Sequence, residues 1–300
     1  MRKALKKILL SIGFSSHQLY SMKQNFKSYL FQMRSNSKSI HGNNEINEIA
    51  IANKSIPLHM TWLHEKEYYQ NHINGIKDVD FLIAEKLVNP EDVVLDVGAN
   101  IGITALHYLQ LGASEVHAFE PVPQIYNRLE TLRDDKLCTY PFALSNKTGK
   151  DLIFISKTHN QGNTLSREVI ETHPAVFGDK LDKTLIDITT LDTVLPGKKF
   201  DYIKVDIENH EIQFIEGGLH LFMEYPPRVL QIEIYDKTFE STHQILIKYF
   251  KFARKVIYNL NTEQIKFVDI TRNYDEYLAK GFKINPPNYI YYNDESIIEN

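Results

Sequence analysis

From residue 78 onward, short β-branched runs alternate with longer segments of helical apolar spacing, the pattern of a parallel sheet flanked by helices. Residues 79–88 have helical spacing and stop at Asn89-Pro90, because a residue before proline is pushed out of the helical region. Residues 93–97 then read as a buried strand, 101–111 as a helix ending at Gly112, and 116–120 as a second strand. A helix over 123–133, a strand over 137–144, a strand over 202–206, a helix over 211–223 and a strand over 228–234 continue the alternation. The expected fold is α/β, Rossmann-like and doubly wound, with a mostly parallel sheet. A helix near 243–252 and strands near 256–258 and 266–268 add a C-terminal hairpin. The regularity lapses in an insertion near 145–185, too long for a routine connection and expected to lie over an active site. The chain shows no internal repeats.

At 300 residues, 43% hydrophobic and 24% charged, the chain is long enough for one catalytic domain, expected over 78–300, with an extension over 1–77. The net charge of −4 is unevenly placed: residues 1–44 carry eight basic and no acidic side chains, leaving 26 basic against 38 acidic in the rest. Such a basic, partly helical arm on an acidic body suits peripheral contact with an anionic membrane face or nucleic acid, or is simply a solvated tail. The single cysteine, Cys138, excludes an intramolecular disulfide and suits a reducing compartment. Two glycosylation-type triplets, at Asn53 and Asn146, therefore read as chance matches. The apolar run at 8–14 imitates a signal peptide but is short and lacks a small-residue cleavage site. No stretch approaches the roughly 20 apolar residues that span a bilayer. The expectation is a cytoplasmic protein, with the arm available to the membrane's inner face.

The candidate chemistry begins at Leu95-Asp96-Val97-Gly98-Ala99-Asn100-Ile101-Gly102, a strand, a glycine-containing loop and a helix start. Gly98 permits a tight turn, and the helix N-terminus offers unpaired N–H groups to a polar ligand. Asn100 stands where a dinucleotide motif needs its second glycine, and no Lys-Ser or Lys-Thr follows to make a phosphate loop. Glu120 ends the second strand 18 residues after Gly102, where a carboxylate accepts from both hydroxyls of a ribose. Asp96 adds a partner for the amino acid end of S-adenosylmethionine, directly or through water.

These residues, together with Ala118-Phe119-Glu120-Pro121-Val122-Pro123, Ala143-Leu144-Ser145, Thr190-Leu191-Asp192 and the run from Ile203 to Glu211, resemble the ordered motifs of the FkbM family of methyltransferases. The resemblance covers roughly residues 78–234. It implies a class I methyltransferase fold, S-adenosylmethionine held by Asp96, Gly98, Ala99, Asn100, Gly102, Glu120, Pro121 and Ala143, and O-methylation of a sugar, glycan or other natural product. The sequence departs from the family at Asn209, where glycine is usual. Asparagine tolerates left-handed backbone, so the loop is expected to be kept, with its carboxamide near the reaction centre.

Methyl transfer to a hydroxyl requires in-line approach and a group that takes the proton. His210, Asp206 and Glu208 are the candidates, His210 first, since a helix N-terminus keeps imidazole neutral. Lys204 is expected to pair with a neighbouring acid, and Glu211 to complement the helix dipole. The carboxylates also suit Mg²⁺ or Ca²⁺, a reading less favoured, and no metal ligand is assigned. Upstream, His59, Trp62, His64, Tyr68, Tyr69 and His72 form either a substrate-facing lid or, more simply, one side of a helix; H-E-x-x-H is absent. Two other functions stay open. RNA methylation would use the basic arm, although the acidic body lacks a lysine stripe. A non-catalytic binding module on this scaffold is the other, against which Asp96, Gly98 and Glu120 argue.

Overall fold

The computed structural model describes residues 46–59, 63–157, 160–178, 180–259, 262, 264–271 and 287–298. The basic arm and Trp62 lie outside them, as does the His64 side chain. The first elements form a hairpin, β1 (Ile46–Ile51) and β2 (Lys54–His59), followed by helix α1 (Leu63–Ile73). The hairpin turn uses Ala52 and Asn53, both at positive φ, the backbone that matches strand twist in a two-residue loop.

The chain continues with α2 (Val79–Leu87), β3 (Val93–Val97), α3 (Ile103–Gln110), β4 (Glu115–Phe119), α4 (Pro123–Glu130), β5 (Leu137–Tyr140) and β6 (Phe142–Leu144). The insertion holds β7 (Gly149–Ile155), α5 (Arg167–Thr172), α6 (Pro174–Phe177) and β8 (Asp182–Thr189). After it come α7 (Leu191–Val194), β9 (Tyr202–Val205), α8 (Glu211–Gly217), α9 (Leu219–Glu224), β10 (Val229–Glu233), α10 (Phe239–Leu246), β11 (Phe252–Asn259), β12 (Gln264–Asp269) and β13 (Asn288–Tyr292).

One sheet carries the order β12-β11-β13-β10-β9-β3-β4-β5, in which β10, β9, β3, β4 and β5 run parallel. Because side chains alternate across a strand, each parallel strand supplies both faces. Val94, Val116, Ala118, Tyr202 and Val229 pack with α2, α3 and the N-terminal hairpin. Leu95, Val97, Phe119, Ile203, Val205 and Leu230 pack with α8, α9 and α10. The result is a doubly wound α/β sheet of the class I methyltransferase type. Among the described residues, no helix is long and apolar enough to cross a membrane.

The structure redraws several expected elements. The expected strand over 137–144 is two, because Pro141 lacks the N–H a continuing ladder needs. Thus β5 stays at the edge of the main sheet, while β6 joins β8 and β7 in a second, three-stranded sheet. The helix expected over 211–223 breaks at Gly217-Gly218, where a Cβ on Gly217 would lie 1.9 Å from the Ser145 carbonyl oxygen. Thr190 caps α7, and the Asp192 carboxylate accepts from the backbone N–H groups of His220 and Leu221 (3.0 and 3.3 Å), fixing the start of α9. The helix expected near 243–252 lies instead at Phe239–Leu246. The C-terminal hairpin of β11 and β12 forms, yet it reaches the parallel strands through β13, which inserts antiparallel between β10 and β11.

Residues 46–77, expected as an extension, contribute to the same core. Ile49, Ile51, Ile56 and Leu58 are buried in the cluster that covers α2 and α3, and the Arg128 guanidinium of α4 donates to the Pro57 carbonyl (2.7 Å) and Glu65 (2.9 Å). Leu58→Ala should therefore lower unfolding free energy by about 2–5 kcal/mol, the range for a fully buried leucine, in urea denaturation. A loss within about 0.5 kcal/mol would show that the hairpin is detachable.

Candidate active site

The loops at the carboxyl ends of β3, β4 and β9 define a cleft. It is lined by Gly98, Ala99, Asn100, Glu120, Pro121 and Ala143, and also by Asp206, Glu208 and His210. Two expected residues are not on its wall. Gly102 starts α3 at φ 88°, and a Cβ there would meet Leu129 and Leu132 at 2.8 Å, so its glycine serves helix packing. Asp96 is wholly buried behind the wall, opposite Lys204 in the β3–β9 register.

Gly98 is required by the protein itself. A Cβ would lie 2.0 Å from the Asp206 carbonyl oxygen, so the β3 and β9 loops touch backbone to backbone. Asp206 N–H donates to the Val97 carbonyl (3.0 Å), and Gly98 and Ala99 both donate to Phe119 (3.1 and 2.9 Å). Three strand ends are thereby tied into one rim. Asn100, at φ 51°, accepts from Ile101 N–H through its own side chain (2.9 Å).

Beneath the cleft lies a buried ionic cluster. Lys204 Nζ stands 3.2 Å from Asp206, 3.6 Å from Asp80 and 4.0 Å from Asp96. Burial alone would lower the lysine pKa, but the three carboxylates outweigh it and raise it, so the ammonium stays charged. One cation does not serve three acids equally. Asp206 is held below its ordinary range, against its burial, by Lys204 and by a hydrogen bond with Glu233. Glu233 is pushed well up by burial and by Asp206, so this pair shares one proton, carried by Glu233. Asp80 rises to about 7, chiefly from burial, and accepts from Gln231 (2.6 Å) and Asn288 (3.3 Å). Asp96 rises to about 6 through burial, and neither of its oxygens has a well-formed hydrogen bond.

On the cleft wall, Glu120 Oε1 accepts from Val122 N–H (2.8 Å), and burial lifts its pKa to about 7. Glu208 sits at φ 56°, a backbone region costly for a non-glycine residue. Burial and then Asp206 raise it to about 7, and the Tyr235 hydroxyl donates to its Oε2. His210 directly precedes α8 without a side-chain capping bond, its Nε2 lies 3.0 Å from Ser145 Oγ, and burial lowers its pKa to about 4, so the ring is neutral near pH 7. Glu211 is buried and ties the loop by accepting from Ile207 N–H (3.3 Å) and Asn209 N–H (3.2 Å), a closer role than the expected dipole contact. Asp206 and Glu208 are thus engaged by Lys204, Glu233 and Tyr235, which gives the Mg²⁺ or Ca²⁺ reading no support.

Asn209 keeps the left-handed backbone, at φ 72°. Its carboxamide does not face the cleft as expected. It donates to Ser166 Oγ and accepts from Thr238 Oγ1, both at 3.1 Å, bridging the insertion and the turn before α10. The insertion does lie over the site: Asn160, Gln161, Asn163 and Leu165 line the cleft. It is pinned by Asn160 to Asn100 and Glu65 (both 3.2 Å) and by Thr164 Oγ1 to the Glu208 carbonyl (2.6 Å). Of the aromatic and histidine stretch, Tyr68 lines the cleft, Tyr69 is half-buried against the core, and His72 is exposed.

Sequence reasoning missed Asp80, Glu65, Asn160, Glu233 and Tyr235. Asp80 carried a signal, since it lies three and four residues before buried Ile83 and Ala84 on the apolar stripe of α2. Gln231 and Glu233 carried another, as polar residues in a strand buried on both faces.

The residues present suit S-adenosylmethionine. Asp96 is a buried carboxylate without a well-formed hydrogen bond, opposite Lys204, which is the only lysine among the described residues of the cleft wall, and Glu120 presents a carboxylate on the wall itself. None of the curated proteins matches the chain. Among solved structures, it is similar to methyltransferase FkbM from Methylobacillus flagellatus KT, at 12% identity and a TM-score of 0.42, over 77% of this chain and 59% of that one. An rRNA methylase from Streptococcus thermophilus matches at 14% identity and a TM-score of 0.35, over 71% and 90%. A ribosomal protein L11 methylase from Lactobacillus delbrueckii subsp. bulgaricus matches at 14% identity and 0.37, over 63% and 75%. No substrate follows from likenesses this distant. The model of the methyltransferase FkbM domain, in contrast, matches residues 96–260, more than half of the chain. The chain belongs to the FkbM methyltransferase family, whose members use S-adenosylmethionine.

Proposed function

We propose that the protein methylates a hydroxyl of a sugar, glycan or related natural product, with Glu208 taking the hydroxyl proton. The observation that carries this is the state of Glu208: on the cleft wall, fixed by Tyr235, and tuned to about 7. A base poised near working pH is present in its ionised form and still holds the proton it accepts. His210, at about 4, is a weak base, so its role is to orient the acceptor while Ser145 holds its ring. Asp206 stays ionised beside Lys204 and favours the cationic cofactor.

When bound, S-adenosylmethionine supplies an electrophilic methyl group on a sulfonium. Glu120 would hold the ribose hydroxyls, the loop from Gly98 to Asn100 would receive the cofactor's polar groups, and Phe142, Ala143 and Leu144 would offer its base an apolar wall, all of them lining the cleft. Asp80, with Asp96 behind Lys204, favours the cofactor's ammonium. The same carboxylates disfavour an acceptor rich in phosphate, which weighs against RNA.

By calorimetry, Glu120→Ala should weaken S-adenosylmethionine binding about 10–100-fold, the worth of hydrogen bonds to a charged group. Glu208→Gln keeps an oxygen for Tyr235 and should leave cofactor binding intact. Transfer of labelled methyl to a panel of free sugars and glycosides should fall about 10²–10⁴-fold in that variant. The wild-type rate should rise with pH through about 7, as Glu208 loses its proton, and the Gln variant should lack this limb. A Gln variant with the wild-type rate and profile would remove Glu208 from the base role. Label entering RNA and no sugar would replace the acceptor class.

A further inference from the structure

At the opposite end of the parallel strands from the cleft, β4 and β5 bring together a second group of reactive side chains. His117 of β4 is the direct register partner of Cys138 of β5, and Glu115 lies two residues before His117, on the same face. One ligand atom from each, an imidazole nitrogen, a thiol sulfur and a carboxylate oxygen, lies within 4.8 Å of the other two. Glu115 begins β4 and Glu120 follows its end, five residues and so about 17 Å apart along the strand.

The His117 side chain is 3% exposed and held on all sides. Its Nδ1 lies 2.8 Å from the Tyr140 hydroxyl, and the ring is stacked on Tyr140 and set edge-on to Phe200. Its Nε2 stands 2.9 Å from Glu115 Oε1, in contact but without a well-formed hydrogen bond. A ring nitrogen and a carboxylate oxygen this close can both turn to a third atom between them. Cys138 Sγ lies 3.9 Å from the same Oε1. In a tetrahedral zinc site the ligand atoms lie about 3.2–3.8 Å apart, so small side-chain shifts suffice. Lys198 pairs with the other oxygen, Oε2, which leaves Oε1 as the ligand and offsets one of the two negative ligand charges.

We propose that Glu115, His117 and Cys138 bind a zinc-class divalent transition metal ion, with water as the fourth ligand. Nitrogen, sulfur and oxygen donors in one small set favour zinc over magnesium or calcium, which take oxygen alone. The Tyr140 hydroxyl is the outer partner that fixes the imidazole. On binding, the thiol proton leaves to solvent and the sulfur–metal bond forms. The ion fastens β4 to β5 at the edge of the main sheet and shields the one thiol of the chain.

The test uses the full chain freed of metal by a chelator, with Co²⁺ as the spectroscopic probe and Zn²⁺ as competitor. Wild type should develop a thiolate-to-cobalt charge-transfer band that one equivalent of Zn²⁺ abolishes, and Cys138→Ser should lack it. Tyr140→Phe should keep the band but lose about 10–100-fold in affinity, as outer partners of metal ligands do. Because the chain has a single cysteine, its reaction with a thiol reagent reports the site alone. Zn²⁺ should slow that reaction about tenfold or more in wild type and leave it unchanged in Glu115→Gln and His117→Gln. S-adenosylmethionine binding by Cys138→Ser serves as the control for folding and should match wild type. No band in wild type, a band surviving in Cys138→Ser, or a thiol rate indifferent to Zn²⁺ would overturn the site.

Discussion

A lysine ammonium almost sealed from water is stable only where carboxylates surround it, and Lys204 sits at the middle of the parallel sheet. Its three partners come from different parts of the chain: Asp80 from helix α2, Asp96 from β3, and Asp206 from the end of β9. The charge requirement therefore fixes the helix against the sheet, and it sets the height of the cleft floor. It also sorts the acids. Lys204 keeps Asp206 ionised, and the ionised Asp206 in turn pushes Glu233 and Glu208 upward. The tuning of Glu208 near 7 thus comes first from its own burial and then from Asp206, which a buried lysine four residues before Glu208 keeps ionised.

The cleft is completed by segments that a minimal sheet would not supply. Asn160 of the insertion, Glu65 of α1 and Asn100 of the glycine loop form one hydrogen-bonded line, and Arg128 closes it from below. Thr164 and Ser166 fasten the same insertion to Glu208 and Asn209. Asparagine at 209 accordingly does two things: it holds the left-handed backbone, and its carboxamide couples the insertion to the segment before α10. The insertion, the Glu208–Asn209 loop and the segment before α10 are joined through these few side chains.

Much of the fold was legible because the parallel strands are continuous apolar runs closed by clear stops. β3 and β9 fall within a residue of their expected bounds, since Asn89-Pro90 and the aspartates at their ends leave little freedom. β7 and β8 were hidden because they form a small sheet with one face toward water, so Leu152 and Leu185 are exposed among polar neighbours. The break at Gly217 was hidden too, for its cause is a carbonyl 72 residues earlier, at Ser145. At the site, Gly98, Glu120 and Glu208, singled out in the sequence, all line the cleft. Glu233 offered only the general signal of a polar residue in a buried strand, and Tyr235 offered none, because their part in the site arises only when β10 lies beside β9.

The central claim is that the charge of Lys204 organises the whole site, and Lys204→Met tests it most directly. The account predicts that unfolding free energy falls by about 3–5 kcal/mol, the cost of leaving buried carboxylates without their cation. It also predicts that calorimetric binding of S-adenosylmethionine is lost, because the loops tied to Asp206 and Asp96 no longer hold their places. A Lys204→Met protein as stable as wild type, binding the cofactor with unchanged affinity, would contradict it.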